Sequence, residues 1–228
     1  MAVDQVLLRR LLDRSAYRFD AWTGSVVDRS QTPLPMIING TPEWSRYGKA
    51  TTLSQRAAGD GVRSTGAVPT VVDPTGTFYV TALVYPRTRG NLMNLCVQVP
   101  GDGGMSFFWD GANNRFFTQL YTNAGAPVQS VSSPNGVAPE PERLFHFAIA
   151  SRNGGATGHV RLDDVPLVPA YGGGGVAAVG SDSQLNVAGC ASGAGEIDTV
   201  LVWVFDFEPE DSEKTALYEA ARNLVTPV

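Results

Sequence analysis

Short apolar runs separated by turn residues dominate the chain from Tyr17 onward. Runs rich in Val, Thr, Phe and Tyr recur roughly every ten residues between clusters of Gly, Pro, Asn and Asp, which is typical of antiparallel strands joined by tight turns. The following segments are predicted as strands: 77–85, 92–99, 105–109, 116–122, 144–151, 159–162, 184–189 and 196–205.

Two of these segments also indicate how their faces are covered. Between Phe145 and Ile149 the large apolar residues occupy alternate positions, so one face of this strand is predicted to meet the core. The run from Val200 to Phe205 has no alternation. Because every side chain in it is apolar, we expect a central strand with both faces covered.

A short amphipathic helix is predicted at the N-terminus, over residues 1–14, with Asp4 as its N-cap. Such a helix can lie against the sandwich, or it can act as an arm that docks onto a neighbouring subunit. In the second case Val6, Leu7 and Leu11 are the candidate partner contacts.

A second helix is predicted after Phe207. Pro209 suits its first turn, acidic residues surround that turn, and Leu217, Tyr218 and Ala221 form one apolar stripe. No internal repeat is visible, and the run Gly172–Gly175 is predicted to be a mobile loop. We therefore expect an arm at 1–16 and one domain at 17–228.

The amino-acid composition and the net charge exclude several classes of protein. The chain of 228 residues has 43% hydrophobic and 17% charged residues, 25 glycines, 15 prolines and a formal charge of −5. These values exclude a disordered chain and favour a turn-rich sheet protein. The acidic balance and the lack of a Lys/Arg block argue against nucleic acid. Neither a membrane span nor a secretory signal is predicted, since Arg9 and Arg10 interrupt the only N-terminal apolar run.

The cysteine count is also informative. Cys96 and Cys190 could form one bridge or remain two buried thiols, and we expect free thiols. The sequence has no CxxC motif and no His-Cys cluster, so we do not expect a structural zinc site. No cofactor is expected either.

The last third of the chain carries a family resemblance. Phe145–Ala148, the hairpin Val160–Leu167, Leu185–Gly189 and Gly195–Val200 are followed by an acidic helix around Leu217–Tyr218. Together with the opening segments at 17–20 and 27–30, these residues resemble the laminin G-like, concanavalin A-type jelly roll. The resemblance implies an all-β fold, a two-sheet antiparallel jelly-roll sandwich with short N-terminal and C-terminal helices.

Two departures from the family pattern stand out. Asp163-Asp164 replaces the usual Asp-Gly at the hairpin tip, which still suits a turn. The closing strand is apolar on both faces, which predicts extra coverage by the N-terminal helix or by another chain.

Enzyme activity is not predicted. The resemblance includes glucanases with a Glu-x-Asp-x-(x)-Glu strand, of which Glu196 and Asp198 supply the first half, while Val200 and Leu201 stand where the third carboxylate should be. The alternation of a strand would also place Glu196 and Asp198 on the same face as Val200 and Val202. That face would not form a cleft for water and a sugar. The two histidines, His146 and His159, lie outside any nucleophile motif. Because His146 alternates with the core-facing phenylalanines, we expect it on the surface or on the second face of its strand.

The resemblance implies that Ca²⁺ is the metal to consider, since members of this fold often hold it near loop ends. The candidate ligands are scattered turn carboxylates without a calcium-loop motif, and we expect solvated or turn-forming side chains. They are Asp60, Asp102, Asp110, Asp163, Asp164 and Asp182.

A glycan site is the best recognition candidate. In the turn after segment 105–109, Trp109, Asp110, Asn113 and Asn114 combine a ring for stacking with amide and carboxylate groups for hydrogen bonds. The same pattern also fits a covered hairpin. Trp22, Trp44 and Trp203 are predicted to be packing residues.

The resemblance, together with the missing catalytic residues, implies two function classes. The first is a non-enzymatic virion structural or accessory protein, of the phage capsid or tail, that contacts other virion proteins and associates with itself. The second is a carbohydrate-binding module or adhesin that uses loops at one end of the sandwich. The first predicts a virion location after assembly in the host cytoplasm, and the second an extracellular one.

Overall fold

The structure is a computed structural model of the full chain. It describes residues 5–47, 50–57, 60–65, 76–88, 91–97, 104–121, 127–137, 141–153, 156–173, 185–187 and 196–225.

The described residues form two helices and two antiparallel sheets. The helices are α1 (Gln5–Leu12) and α2 (Asp211–Val225), and a 3-10 turn lies at Ala21–Thr23. The strands are β1 (Tyr17–Asp20), β2 (Met36–Asn39), β3 (Glu43–Tyr47), β4 (Ala50–Gln55), β5 (Gly61–Ser64), β6 (Phe78–Pro86), β7 (Asn91–Val97), β8 (Gly104–Asp110), β9 (Arg115–Tyr121), β10 (Pro127–Ser132), β11 (Phe145–Arg152), β12 (Thr157–Leu162), β13 (Val165–Leu167), β14 (Ala170–Gly173), β15 (Leu185–Val187) and β16 (Ile197–Phe205).

The first sheet has the order β13-β12-β11-β6-β16-β4-β3. β16 pairs with β6 on one side, and on the other side it pairs first with β4 and then with β1. The second sheet has the order β14-β10-β9-β8-β7-β15-β5-β2. Consecutive edge strands therefore lie at matching ends of the two sheets, β2 with β3 at one end and β13 with β14 at the other. The predicted two-sheet sandwich with terminal helices is confirmed.

Two apolar clusters hold the layers together. The larger cluster lies between the sheets and includes Phe147 from β11 and Val202 from β16. The smaller cluster lies on the outer face of the first sheet, where Leu11 of α1 and Leu217 of α2 cover Trp203. β16 is buried along its whole length because it faces both clusters, as its unbroken apolar run predicts.

The alternation of β16 is broken by a register shift between Thr199 and Leu201. Val200 and Leu201 both belong to the outer cluster, whereas Val202 belongs to the inner one. The prediction that Asp198 shares one face with Val200 and Val202 is therefore wrong, because the bulge resets the two-residue period.

Helix α1 packs against the sandwich, and its contacts are with α2 and the first sheet. It begins at Gln5, and the predicted N-cap Asp4 lies outside the described residues. Helix α2 begins at Asp211, so Pro209 precedes its first turn. The Glu210 N–H donates to the Glu213 carboxylate at 2.8 Å, which supplies the cap.

The tip between β12 and β13 forms as predicted. Asp163 and Asp164 have φ values of 46° and 67°, the left-handed pair that a two-residue hairpin turn requires. The Asp163 carboxylate accepts a bond from the His146 N–H at 3.0 Å, and Asp164 accepts one from the Thr215 hydroxyl at 2.9 Å. These bonds offset the strain of a positive φ without glycine.

The glycine run departs from its prediction. Gly172 and Gly173 belong to β14 and pair with Ser130 and Gln129 of β10, while 174–175 lie outside the described residues. In the same strand the Tyr171 hydroxyl donates to the Gly158 carbonyl at 3.0 Å and accepts from the Gly158 N–H at 3.1 Å. Tyr171 thus links the two sheets beyond the end of β13.

Cys190 and the side chain of Cys96 lie outside the described residues, so their redox state stays a prediction. Among the described residues, no helix combines the length and apolar character that crossing a membrane requires.

Candidate functional site

The turn predicted to bind glycans joins β8 to β9, and its polar side chains are bonded to one another. Trp109 is 1% exposed and packs in the cluster between the sheets, opposite Phe116. Its ring cannot stack on a sugar, so the prediction of Trp109 as a glycan contact is wrong. The cause is the phase of β8, which the consecutive aromatic residues of this segment do not reveal.

Asp110 is committed to the same turn. Its carboxylate accepts bonds from the Ala112 and Asn113 N–H groups, the Asn113 side-chain amide and Arg115 Nε. Burial opposes ionisation of Asp110, but the bonds from Asn113, Arg115 and Ala112 hold its pKa below the usual value. Asp110 is therefore a capping group of the turn, and its role as a glycan contact stays a prediction.

Asn113 and Asn114 complete the turn. Asn114 has a φ of 49°, which asparagine tolerates better than most residues, and it is half-buried. Asn113 is exposed, but its amide is bonded to Asp110 at 2.6 Å. The four predicted residues thus lie together, but the geometry uses them to close a hairpin.

The three predicted partner contacts on α1 differ in how far their side chains are exposed to solvent. Leu11 is 1% exposed and covered by its own fold, so its prediction as a partner contact is wrong. Leu7 is half-buried, and Val6 is exposed. Of the three residues, Val6 alone presents most of its side chain to solvent.

The half-motif Glu196-x-Asp198 belongs to an ion-pair cluster. The Asp198 carboxylate is almost fully buried and contacts Arg56 Nη1 at 3.0 Å and Arg87 Nε at 2.8 Å. Arg56 also lies 3.6 Å from Glu196. With both oxygens held by guanidinium groups, Asp198 is a structural anion that ties β16 to the ends of β4 and β6.

His146 lies on the second face of β11, beneath α2. Its Nε2 is 2.5 Å from the Thr81 hydroxyl, and its ring packs edge-on against Tyr218. Burial, reinforced by the charges of Arg161 and Arg222, lowers the pKa of His146 to about 3. His159 is half-exposed on β12 and lies 4.0 Å from Glu208.

The candidate Ca²⁺ ligands that the structure describes are dispersed, and their carboxylates are bonded to main-chain and side-chain donors of the protein. Asp60 accepts bonds from the Thr41 and Ala57 N–H groups, at 2.8 and 2.9 Å. Within the described ranges no three acidic, His or Cys side chains come together as a metal site would require. Asp102 and Asp182 lie outside those ranges.

An exposed apolar edge, which the sequence did not predict, lies at one end of the second sheet. β2 ends the second sheet and, among the described strands, pairs with β5 alone. Ile37 and Ile38 are 40% and 52% exposed, although they lie on opposite faces of the strand. On the neighbouring edge strand β3, Trp44 is 39% exposed, so its predicted packing role is only partly met.

The hydrogen-bond phase of β2 is fixed by one contact beyond the strand. The Thr65 N–H donates to the Pro35 carbonyl at 2.9 Å. Bonded pairs in an antiparallel ladder recur at every second residue, so Ile37 is bonded to Arg63 across from it. Met36 and Ile38 therefore direct their N–H and C=O groups away from β5, toward the open edge.

The sequence carried a weak signal for this edge. Met36-Ile37-Ile38 is an apolar run, and Pro33 and Pro35 directly before it are typical of an edge strand. The run is too short to give a clear two-residue period. Its exposure could be seen only after the sheet order was known.

The fold has clear neighbours among solved structures. The binding domain of Paraclostridial Mosquitocidal Protein 1 has a TM-score of 0.70 at 8% identity, over 93% of this chain and 53% of that one. The Botulinum Neurotoxin Type G Receptor Binding Domain has a TM-score of 0.65 at 11% identity, over 91% and 51%. The binding domain of botulinum neurotoxin serotype D gives 0.69 at 9% identity, over 91% and 52%.

This chain has the β-sandwich fold of those toxin domains. It spans about half the length of each of them. Identities this low establish a shared fold alone. No protein-family model and no curated protein sequence matches the chain.

Proposed function

We propose that this protein is a non-catalytic contact module that joins a second copy of itself through the open edge at β2. The observation that carries the proposal is the set of outward main-chain groups on Met36 and Ile38, flanked by exposed Ile37. An unpaired apolar edge strand is a template for another strand, and proteins that do not use such an edge usually shield it with charges.

The edge is complementary to itself in one register. If two copies of β2 run antiparallel about a two-fold axis at Ile37, Met36 of each copy faces Ile38 of the other. Both residues direct their main-chain groups outward, so each of these pairs can exchange two hydrogen bonds. The two Ile37 side chains then meet on the outer face, about 4.5–5.5 Å apart at Cβ. Met36 and Ile38 meet on the inner face, beside the core.

Light scattering after gel filtration, over a series of concentrations, tests this pairing. We expect a dimer for the native chain and a monomer for Ile37→Lys, which places two like charges at the axis. Ile38→Pro is a sharper variant, because it removes an outward N–H without touching the bonds to β5.

The matched control is Val168→Lys at the opposite end of the sandwich, where Val168 is 81% exposed. This variant is expected to remain dimeric. A native chain that stays monomeric at every concentration contradicts the proposal, as does a dimer that survives both β2 variants.

The finer proposal concerns the setting, a virion in which the module contacts other structural proteins. Its support is a fold-level analogy: the last third of the chain resembles laminin G-like jelly rolls, and jelly rolls of this kind are common among phage accessory proteins. Detection of the chain in purified particles from its source tests the setting. Particles that lack it would refute the virion role and leave the pairing at β2 intact.

A second candidate is recognition of a receptor, with a glycan as the ligand. It is supported by the fold shared with domains described as receptor-binding. A glycan array probed with and without Ca²⁺ tests it. Because Trp109 is buried, the diagnostic variant is Asn113→Ala at the exposed tip, and silence across the array would remove this candidate.

A further inference from the structure

A cavity of about 210 Å³ lies between the two helices and the outer face of the first sheet. Its volume exceeds the ~150 Å³ that holds a benzene ring and is below the ~300 Å³ at which sites for drug-sized ligands begin. Gln5, Leu8 and Leu12 of α1 form one wall, and Ala220, Asn223 and Leu224 of α2 form the other. Arg18 and Trp203 complete the lining.

The residues that line the cavity are mostly apolar, with two side-chain amides and one cationic group. Arg18 and Trp203 are direct cross-strand neighbours on β1 and β16, so both side chains lie on the same face. The Arg18 side chain is partly exposed, and it is the one charged group among the lining residues.

A buried carboxylate beside the cavity orients this arginine. Asp20 accepts a bond from Trp203 Nε1 at 2.6 Å, and its second oxygen lies 2.7 Å from Arg18 Nε. Asp20 thus lies against the Nε side of the guanidinium as an ion-pair partner, although this contact does not have hydrogen-bond geometry. Among the described residues, nothing is bonded to the two terminal nitrogens of Arg18, which are the pair that binds a carboxylate end-on.

We propose that this cavity binds a small amphipathic monocarboxylate, with its apolar body between the helices and its carboxylate on Arg18. The apolar body meets leucine side chains from α1 and α2 and the Trp203 ring. The amides of Gln5 and Asn223 provide further hydrogen-bond donors at the cavity wall. The site does not involve β2, so it stands apart from the pairing described above.

Titration with octanoate, followed by NMR of the native chain, tests the site directly. We expect saturable binding with Kd on the order of 1 mM, as befits a ligand with so few heavy atoms. Octan-1-ol has the same apolar body without the charge, and it should bind about tenfold more weakly. Octylamine, which carries the opposite charge, should not bind measurably.

Two variants separate the head group from the cavity. Arg18→Gln should abolish the preference for octanoate over octanol, with octanoate binding falling about tenfold. Ala220→Phe fills the cavity without altering the Arg18–Asp20 pair and should block both ligands. Ser212→Leu, on an exposed part of the same helix, is the matched control and should leave binding unchanged.

The native chain and Ala220→Phe keep the test decisive even if Arg18→Gln fails to fold. The absence of saturable octanoate binding overturns the proposal. Equal affinities for octanoate and octanol, or undiminished binding by Ala220→Phe, overturn it as well.

Discussion

Trp203 is the residue whose removal tests the architecture most directly. Its side chain is 2% exposed in the middle of β16, beneath both helices, and its indole N–H is bonded to Asp20. Trp203→Ala removes roughly 150–250 Å² of buried surface, and truncations of large core aromatics cost about 3–5 kcal/mol. The lost bond to a buried carboxylate moves the expected value toward the upper end of that range.

Urea unfolding followed by circular dichroism measures this loss, provided that the slope of the unfolding free energy against urea is unchanged. Trp203→Phe isolates the hydrogen bond, because it keeps an aromatic ring but removes the N–H donor. We expect it to cost about 1.5–3 kcal/mol. Trp44→Ala is the matched control and should cost less than Trp203→Ala, because Trp44 is 39% exposed on an edge strand.

A loss below about 1 kcal/mol for Trp203→Ala, which is typical of surface substitutions, would refute the reasoning. It would mean that β16 is not the central strand and that the helices do not cover it. The same conclusion would follow if Trp44→Ala cost more than Trp203→Ala.

Three further predictions concern buried polar groups. Asp198→Ala should lower the unfolding free energy by about 1–3 kcal/mol in urea titrations, because it leaves Arg56 and Arg87 without their shared anion, and an unchanged midpoint would contradict the role of that cluster. The folded-state pKa of His146, about 3 against an ordinary 6.5, means that only the unfolded chain gains this proton between those values, so stability falls as pH drops through that window. His146→Gln should reduce the slope of unfolding free energy against pH by up to about 1.4 kcal/mol per unit, and an unaltered slope would show that His146 titrates normally. Asp110→Ala should cost about 1–2 kcal/mol in thermal unfolding through loss of the turn bonds, and an unaltered melting temperature would show that the turn does not need them.

The sequence predicted the longest strands of the fold better than its short strands and its edges. β16 was recognisable because Val200 to Phe205 is an unbroken apolar run, which indicates a strand covered on both faces. The structure buries all nine residues of this strand. β11 was recognisable by its alternating phenylalanines. The edge strands β2 and β3 were missed because edge strands bury little and Glu43–Tyr47 carries little hydrophobic signal. The interior strands β4, β5 and β10 were missed as well, because their sequences are short and rich in polar residues.

The candidate site residues failed for a related reason. Trp109 stands after two phenylalanines, so local composition could not tell which of these residues faces the core. Asp110 and Asn113 have the chemistry of a sugar site and also that of a turn cap, and only the hydrogen bonds distinguish the two. Leu11 follows a helical pattern that does not specify whether its own sheet or another chain covers it.

The edge strand β13, at the end of the sandwich opposite β2, is protected against strand pairing. Pro166 deprives β13 of a main-chain donor, and the Tyr171 hydroxyl occupies both main-chain groups of Gly158 next to it. Pairing about a two-fold axis uses the β2 edge of both copies, so growth through this contact stops at a closed pair and does not continue into a fibre. Concentrated solutions should therefore hold particles of twice the chain mass and nothing longer.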